Sequence, residues 1–321
     1  MSNKVSRVTA LVAGLLAIRC EASETFPTRP MRIVVPFASG SGVDSNPRFY
    51  GELLRKLWGQ AIVVDNRPGA SGIIGVQAVK NAAADGYTLL TATTALMSVN
   101  PVMVKDLPYD PIKDFRPVIL FSLGSTALIV SGASSSRTVR DLVTASRKQG
   151  NPLAIGTYSA GFELTSVWFG AVTGLAVMPV PYKGASQVIT DVIGGQIPSG
   201  MVDISGALPL LKAGRLRVLA ITAEERYPFA PEVPTMKESG FPELVNYTYS
   251  SIFVRSETPD SIVDRLHEGF KTVMASPEGR AYQASRPAII PDYTPQQIRV
   301  FVANDVERFK KIAQAAGIKP R

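Results

Sequence analysis

The chain has one cysteine, Cys20, and one histidine, His267, in 321 residues. A Cys/His metal cluster cannot be assembled from one of each. The carboxylates show no calcium-loop spacing that would replace it. His267 stands in the polar helical stretch Asp264-Arg265-Leu266-His267-Glu268, far along the chain from any strand-end loop. A Ser-His-acid triad needs that imidazole beside a nucleophile, so hydrolytic catalysis is not expected. No apolar run reaches the roughly 20 residues that cross a bilayer as a helix. Tryptophan occurs only at Trp58 and Trp168, both at helical positions among apolar neighbours, and these read as core. Nucleotide motifs are missing too. Gly40-Ser41-Gly42 follows a strand, but Ser45 stands where a dinucleotide fingerprint needs its third glycine, and no Gly-Lys-Ser/Thr ending occurs.

The formal charge is +8, yet Lys and Arg are scattered and form no dense run. That pattern describes a solvated basic surface and gives no reason to expect nucleic acid. Hydrophobic residues at 45% and charged residues at 19% are those of a globular protein. Its length suffices for two domains.

At the N-terminus Lys4 and Arg7 precede the apolar run Val8 to Ile18, followed by small and polar residues. This is the order of a secretory signal, with Cys20 and Ala22 at −3 and −1 for cleavage after Ala22. Arg19 stands where lipid attachment at Cys20 would want a small residue. Residues 1–22 are expected to be removed, leaving a cysteine-free periplasmic protein.

Beyond Pro30, short apolar strands alternate with helical spacing, which argues for a parallel α/β sheet. Strands are expected at Arg32–Pro36, Ala61–Asp65, Tyr87–Thr91, Val118–Leu123, Ala127–Val130, Leu153–Gly156, Val177–Val180, Leu216–Ile221 and Ser250–Val254. Helices are expected over 48–57, 73–83, 138–148, 161–168, 185–193, 259–274 and 295–316. Residues 101–117 read as a long connection without either signal, and 226–242 as a proline-rich surface loop. The chain should cross between domains near Gly124-Ser125 and return before Ser250. That gives domain 1 as 26–124 plus 250–321 and domain 2 as 125–249.

Loops rich in Ser, Thr and Gly follow the strands: Phe37 to Asp44, Asn66 to Gly72, and Thr157 to Gly161. Such loops, feeding helix N-termini at the carboxyl ends of strands, offer hydrogen-bond donors to an anion. Donors without acids or activated nucleophiles favour binding over catalysis. Each charge-assisted hydrogen bond to a carboxylate contributes roughly 1.5–3 kcal/mol, so a few suffice for affinity of about 1 μM, or −8 kcal/mol.

These loops also carry a resemblance. Phe26-Pro27-Thr28-Arg29-Pro30, Pro36-Phe37, Gly40 and Asp44 are followed by Gly59-Gln60, Asn66-Arg67-Pro68-Gly69-Ala70, Gly72 and Gly75. Asp85-Gly86-Tyr87-Thr88-Leu89-Leu90, Leu107-Pro108-Tyr109-Asp110-Pro111, Val180-Pro181-Tyr182-Lys183-Gly184, Lys212-Ala213-Gly214 and Pro231-Glu232-Val233-Pro234-Thr235 continue it. This pattern resembles the Bug receptors, the TctC-type solute-binding components of tripartite tricarboxylate transporters. The resemblance implies a type II periplasmic-binding-protein fold, two α/β domains joined by a hinge with a ligand cleft between them. It implies capture of a small organic carboxylate by a monomer, without cofactor or metal, and delivery to membrane transporter components. A sensory role presenting ligand state to a signalling partner is the alternative. The site residues it implies are Phe37, Ser39, Gly40, Ser41 and Asp44 in the first loop, and Ala70, Ser71 and Gly72 in the second. Thr93, Thr157, Ser159, Glu163 and Asp203 complete the set.

The chain departs from the family pattern at Ser41 and Ser71, where glycine is usual. Glu163 falls near the place of a histidine, where an acid would repel a second ligand carboxylate. The usual Phe-Asp is shifted to Val202-Asp203.

Overall fold

The computed structural model describes residues 26–39, 43–285, 288–315, 317–318 and 320. The export segment expected at 1–22, and Gly40 and Ser41 of the first loop, lie outside the described residues.

Two five-stranded sheets are present. The first is ordered β2-β1-β3-β10-β4 and comprises β1 (Met31–Val35), β2 (Ile62–Asn66), β3 (Thr88–Thr93), β4 (Phe115–Gly124) and β10 (Thr248–Arg255). The second is ordered β7-β6-β8-β5-β9 and comprises β5 (Thr126–Ser131), β6 (Leu153–Thr157), β7 (Val177–Pro181), β8 (Ser199–Asp203) and β9 (Leu216–Ile221). Helices α1 (Ser45–Trp58), α2 (Ile73–Lys80), α8 (Asp260–Ala275) and α9 (Pro277–Ala284) belong with the first sheet, whereas α3 (Asn100–Met103) puts Val102 into a core of the second. Helices α4 (Val139–Gln149), α5 (Ala160–Thr173), α6 (Ala185–Ile193) and α7 (Ile204–Lys212) cover the second. This is the two-domain α/β architecture expected from the sequence.

The sheets are mixed, which corrects the expectation of parallel ones. β1, β2 and β3 are mutually parallel, whereas β10 runs antiparallel to both β3 and β4. In the second sheet β5 runs antiparallel to β8 and β9. Each reversed strand is the one by which the chain enters from the other sheet. Only Ser125 separates β4 from β5, and β10 brings the chain back. The βαβ rhythm of the sequence does not encode the direction of a strand that arrives without a crossover helix.

Several elements differ from expectation for identifiable reasons. β4 begins at Phe115 and contains Pro117, because β4 is an edge strand where a missing N–H is tolerated. β7 accommodates Pro179 on the other sheet's edge in the same way. β8 and α7 have no counterpart among the expected elements: Gly200 interrupts the apolar run, and Pro209 lies inside α7. Residues 95–103 form a π-helix (Ala95–Val99) continuing into α3, where the sequence suggests a structureless connection from Pro101 onward. Thr138 caps α4 as anticipated, within a reciprocal capping box with Asp141.

The cores lie on both faces of each sheet. Ile33, Tyr50, Leu89, Ile252, Leu266 and Phe270 fill the α1/α8 side of the first. His267 is part of this packing, 7% exposed, with Nδ1 donating to the Val118 carbonyl at 2.8 Å. It is a structural histidine. Trp168 is likewise buried. Trp58 is half-buried, and its indole occupies the space that a side chain at Gly269 would need.

The C-terminal helix α10 (Pro295–Ala315) joins the two halves. Ile298 and Val302 pack on the first sheet, while Phe309, Ile312 and Ala313 enter the core of the second. Between these contacts Asp305 is 1% exposed, and neither carboxylate oxygen meets a donor in good geometry among the described residues. Arg308 Nη1 is 3.8 Å away. Burial pushes the Asp305 pKa up to about 6, although Ser98 and Arg308 pull it partly back. Its folded value exceeds the unfolded one, so its contribution to stability is fully present below about pH 4 and is lost as pH rises through about 6. Asp305→Asn should therefore stabilise the protein at pH 7 by on the order of 2–3 kcal/mol relative to wild type. Urea unfolding between pH 4 and 8 should show this gain growing up to about pH 6 and then levelling. A gain independent of pH would contradict the assignment.

Candidate functional site

β1 and β2 lie side by side and parallel, so their carboxyl ends deliver two loops to one edge of the first sheet. The first loop is tied to the second by a single polar network. Asp44, 2% exposed, accepts from Arg48 Nε at 2.8 Å and from Asn66 Nδ2 at 2.9 Å. Asn66 Nδ2 also donates to the Phe37 carbonyl at 3.0 Å. Arg48 Nη2 donates to Asn66 Oδ1 at 2.6 Å and to Ser39 Oγ at 3.3 Å. A buried carboxylate shared by a guanidinium and an amide fixes distance and orientation, because Arg presents its donors in a rigid fork. Phe37 is half-buried against the core, and Ser39 is exposed.

The second loop is strained. Gly69, Ala70, Ser71 and Gly72 have φ of +124°, +46°, +54° and +87° in succession. Only glycine adopts this region without cost; Ala70 and Ser71 do so at roughly 1–3 kcal/mol each. Both are exposed at the tip of a turn closed by Gly72 N–H to Gly69 C=O at 2.9 Å. Gly72 itself is buried: a Cβ there would sit 2.5 Å from Leu96 Cδ2 and 3.3 Å from Pro36 Cβ. The Ser71 carbonyl accepts from Asn100 Nδ2 at 3.3 Å, and that amide also donates to Tyr109 Oη at 3.1 Å. Tyr109 in turn donates to the Leu96 carbonyl at 2.6 Å, within the π-helix. Desolvation pushes its pKa up to about 12, so the phenol stays a donor. Short π-helical segments are frequent at functional sites.

The second unit contributes the end of β6 and the start of α5. Thr157 ends β6 and is 2% exposed. Ser159 caps α5 without committing its hydroxyl to the helix. Glu163 lies half-buried in the first turn of that helix, one turn from Ser159, whose carbonyl accepts its N–H at 3.0 Å. A Cβ placed on Gly161 would lie 3.7 Å from Val99 Cγ2, so the start of α5 faces the π-helix and α3 across the two units.

The crossing between the sheets carries a second polar network. Asp203, at the end of β8, accepts from Ser205 N–H at 3.0 Å, Ser205 Oγ at 2.6 Å and the Thr248 hydroxyl. Burial, reinforced by the Asp203 charge, raises the pKa of Tyr158 and of Tyr227. Thr222 accepts from Thr126 N–H at 3.1 Å and donates to the Asn246 carbonyl at 3.0 Å; Asn246 reaches Thr165 at 2.6 Å. Thr93 ends β3 with Oγ1 buried and without a partner among the described residues.

Phe37, Ser39, Asp44, Ala70, Ser71 and Gly72 thus lie in the two adjoining loops of the first unit, and Thr157, Ser159 and Glu163 at the end of β6 and the start of α5. Thr93 and Asp203 belong to the crossing. Sequence reasoning missed Arg48, Asn66 and Asn100 as loop-fixing residues. The i,i+4 spacing of Asp44 and Arg48 was the one readable signal; Asn66 and Asn100 act through tertiary contacts that no spacing announces. Gly72→Ala should distort the second loop and lower the unfolding free energy by roughly 1–3 kcal/mol. Ser71→Gly, which relieves a strained φ, should cost nothing or stabilise slightly. Thermal unfolding of the two variants checks the pair, and a neutral Gly72→Ala would contradict the strain argument.

The receptor pattern of the tripartite tricarboxylate transporter family matches residues 48–318. A UPF0065 protein of Bordetella bronchiseptica is 32% identical over 98% of this chain and 95% of its own length. BugT of Bordetella pertussis is 30% identical over 93% of this chain and 92% of its own. Among solved structures, Rpa4515 of R. palustris with adipate is 31% identical with a TM-score of 0.81, covering 92% of this chain and all of that one. MatC from Rhodopseudomonas palustris with bound malate is 25% identical with a TM-score of 0.78, covering 89% of this chain and 99% of that one. Similarity of this extent in both sequence and fold places the chain in the TctC family of tripartite tricarboxylate transporter receptors.

Proposed function

We propose that this receptor captures a small carboxylate-bearing organic anion by closing its two units, 26–124 plus 250–321 and 125–249, around it. It then delivers the anion to the membrane components of a tripartite tricarboxylate-type transporter. The observation that carries this reading is the pair of loops locked together by Arg48, Asp44 and Asn66, next to a π-helix whose Val99 approaches Gly161 at the start of α5. One wall supplies backbone and hydroxyl donors held at a fixed separation. The other supplies Thr157, Ser159 and the positive end of a 14-residue helix, which favours an anion. Family relatives holding adipate and malate support a carboxylate as the ligand class. Gly40 and Ser41 would complete the first loop, and Glu163 would set preference for the far end of the ligand. Asp203, engaged at the crossing, would act on closure.

The N-terminal export signal, cleaved near Ala22, fits this role, since the family's receptors are periplasmic. Intact mass of the exported protein should lack residues 1–22; a mass that includes them would contradict cleavage.

Isothermal calorimetry on ligand-stripped protein against a panel of mono- and dicarboxylates, malate and adipate included, should give saturable binding at about micromolar Kd. No binding to any member would overturn the reading. Arg48→Ala should weaken every bound carboxylate by roughly 10-fold or more through loss of loop registration, with a smaller effect from Arg48→Lys. Glu163→Gln should instead change the ranking among carboxylates.

A further inference from the structure

The two units differ in how they use charge at the ends of their sheets farthest from the crossing. β4 reaches the crossing at Gly124, so Phe115 and, opposite it, Arg255 mark the far end of the first unit. A hollow of about 340 Å³ opens there. Its cations are already paired: Lys80 Nζ lies 2.7 Å from Asp114 Oδ2, and Arg255 Nη2 lies 2.6 Å from Glu257 Oε1.

In the second unit β5 leaves the crossing at Thr126 and ends at Ser131, opposite Leu216 of β9. The far end is therefore where β9 begins. A larger hollow, of about 490 Å³, lies against Arg217, Val218 and Leu219, between the start of α4 and residues 232–239. β9 is an edge strand. Its last residue, Ile221, is paired with the segment after Val233: its N–H donates to the Pro234 carbonyl at 3.0 Å, and its carbonyl accepts from Met236 N–H at 2.7 Å. The hollow opens along the residues before it.

Positive charge prevails in this second hollow. Arg217 is half-buried and donates to three neutral carbonyls, from Nη1 to Ser134 at 2.9 Å and Ser136 at 3.2 Å, and from Nη2 to Gly132 at 3.2 Å. These bonds fix the guanidinium without cancelling its charge. Arg137 and Arg140 are exposed, and neither guanidinium has an ion-pair or hydrogen-bond partner among the described residues. Of the two carboxylates that line the hollow, Glu238 is taken by Arg226 Nε at 3.0 Å and by the Thr235 N–H at 2.8 Å, which leaves Glu232. Asp141, in the first turn of α4, accepts from the Arg137 and Thr138 N–H groups.

Strand alternation sorts the lining into two faces. Arg217 points to the α4 side, towards the carbonyls that lead into that helix, and Leu219 joins Val139 and Leu142 there. Val218 points to the other side, with Leu211 and Val233. A chain running along the edge of β9 meets cations on one face and apolar carbon on the other.

We propose that this hollow is a docking surface for an extended acidic segment of the transporter's membrane component, in which carboxylate side chains alternate with apolar ones. The carboxylates meet Arg137, Arg140 and Arg217, and the apolar side chains meet Leu211, Val218 and Val233. Addition of an extended segment at a sheet edge is a recurrent mode of recognition, in which main-chain bonds give affinity and alternate side chains give specificity. Charge decides the kind of partner. The chain's own formal charge is +8, so a second copy is repelled at this surface and an acidic segment is attracted. All of the lining lies within the second unit, so docking there leaves the cleft open and does not depend on closure. The proposal rests on the transporter reading above and names the surface at which delivery begins.

A fluorescent peptide of alternating glutamate and valine, titrated by anisotropy into the full mature chain, should bind saturably. The same peptide with glutamine in place of glutamate should bind about 10-fold more weakly. Combining Arg137→Ala with Arg140→Ala should weaken the glutamate peptide by about 10-fold. It should leave Tm and the affinity for a panel carboxylate unchanged, since both guanidiniums are exposed. Saturating carboxylate should alter peptide affinity by less than about twofold. Equal binding of the two peptides, no loss in the double variant, or displacement of the peptide by the carboxylate would overturn the surface; displacement would put the peptide in the cleft. In intact cells of the native host, a photo-crosslinking residue in place of Glu232 should join the receptor to the membrane component of its tripartite transporter. No crosslink to that component, or one to a sensor protein instead, would overturn the partner. Failure of wild type to bind any carboxylate would overturn the capture reading and leave the peptide result standing, so the two failures are distinguishable.

Discussion

The fixed point of the molecule is the buried carboxylate of Asp44. An ionised group at 2% exposure persists only when it is paired and hydrogen-bonded. Arg48 and Asn66 meet that demand, and in doing so they join the loop after β1 to the loop after β2. Removing one partner would leave a charge in a place that cannot hydrate it, which makes the geometry of the two loops a single unit. The strained turn at Ala70 and Ser71 is tolerated in this setting. Asn66 anchors its start, Asn100 holds the Ser71 carbonyl, and the buried Gly72 sits against Pro36 and Leu96.

From that unit the structure reads outward. Tyr109 and Asn100 connect the second loop to the π-helix, and the π-helix faces α5 of the other unit through Val99 and Gly161. α10 packs on both cores, with Asp305 buried between. The crossing strands β5 and β10 are held by Thr222, Asn246, Asp203 and Thr248. Under the proposed function, a carboxylate lodged between the loops and α5 would touch elements of both units and would thereby couple ligand contact to closure.

Much of this was legible in the residues. Leu216–Ile221 is a strand to the residue, because a fully buried strand is a continuous apolar run bounded by turn residues. Thr138 announces α4 through its own chemistry. Elements whose stability comes from position in the sheet were not legible. Pro117 in β4 is acceptable only on an edge, and β8 followed by a proline-bearing α7 offers no periodicity to read. The same division holds for the site. Glycine- and serine-rich loops could be located from their composition, and the family resemblance could supply their role. The partners of Asp44 and the hold of Asn100 on the Ser71 carbonyl depend on tertiary contact, which one sequence does not print.

The most direct test of the central claim is a crystal structure of the mature protein with a panel carboxylate bound. The carboxylate should lie between the loops 37–44 and 66–72, with the start of α5 closed over it and the Arg48–Asp44–Asn66 network unbroken. A carboxylate seated outside these loops, or held there with Arg48 withdrawn from Asp44 to pair with the ligand, would contradict that claim.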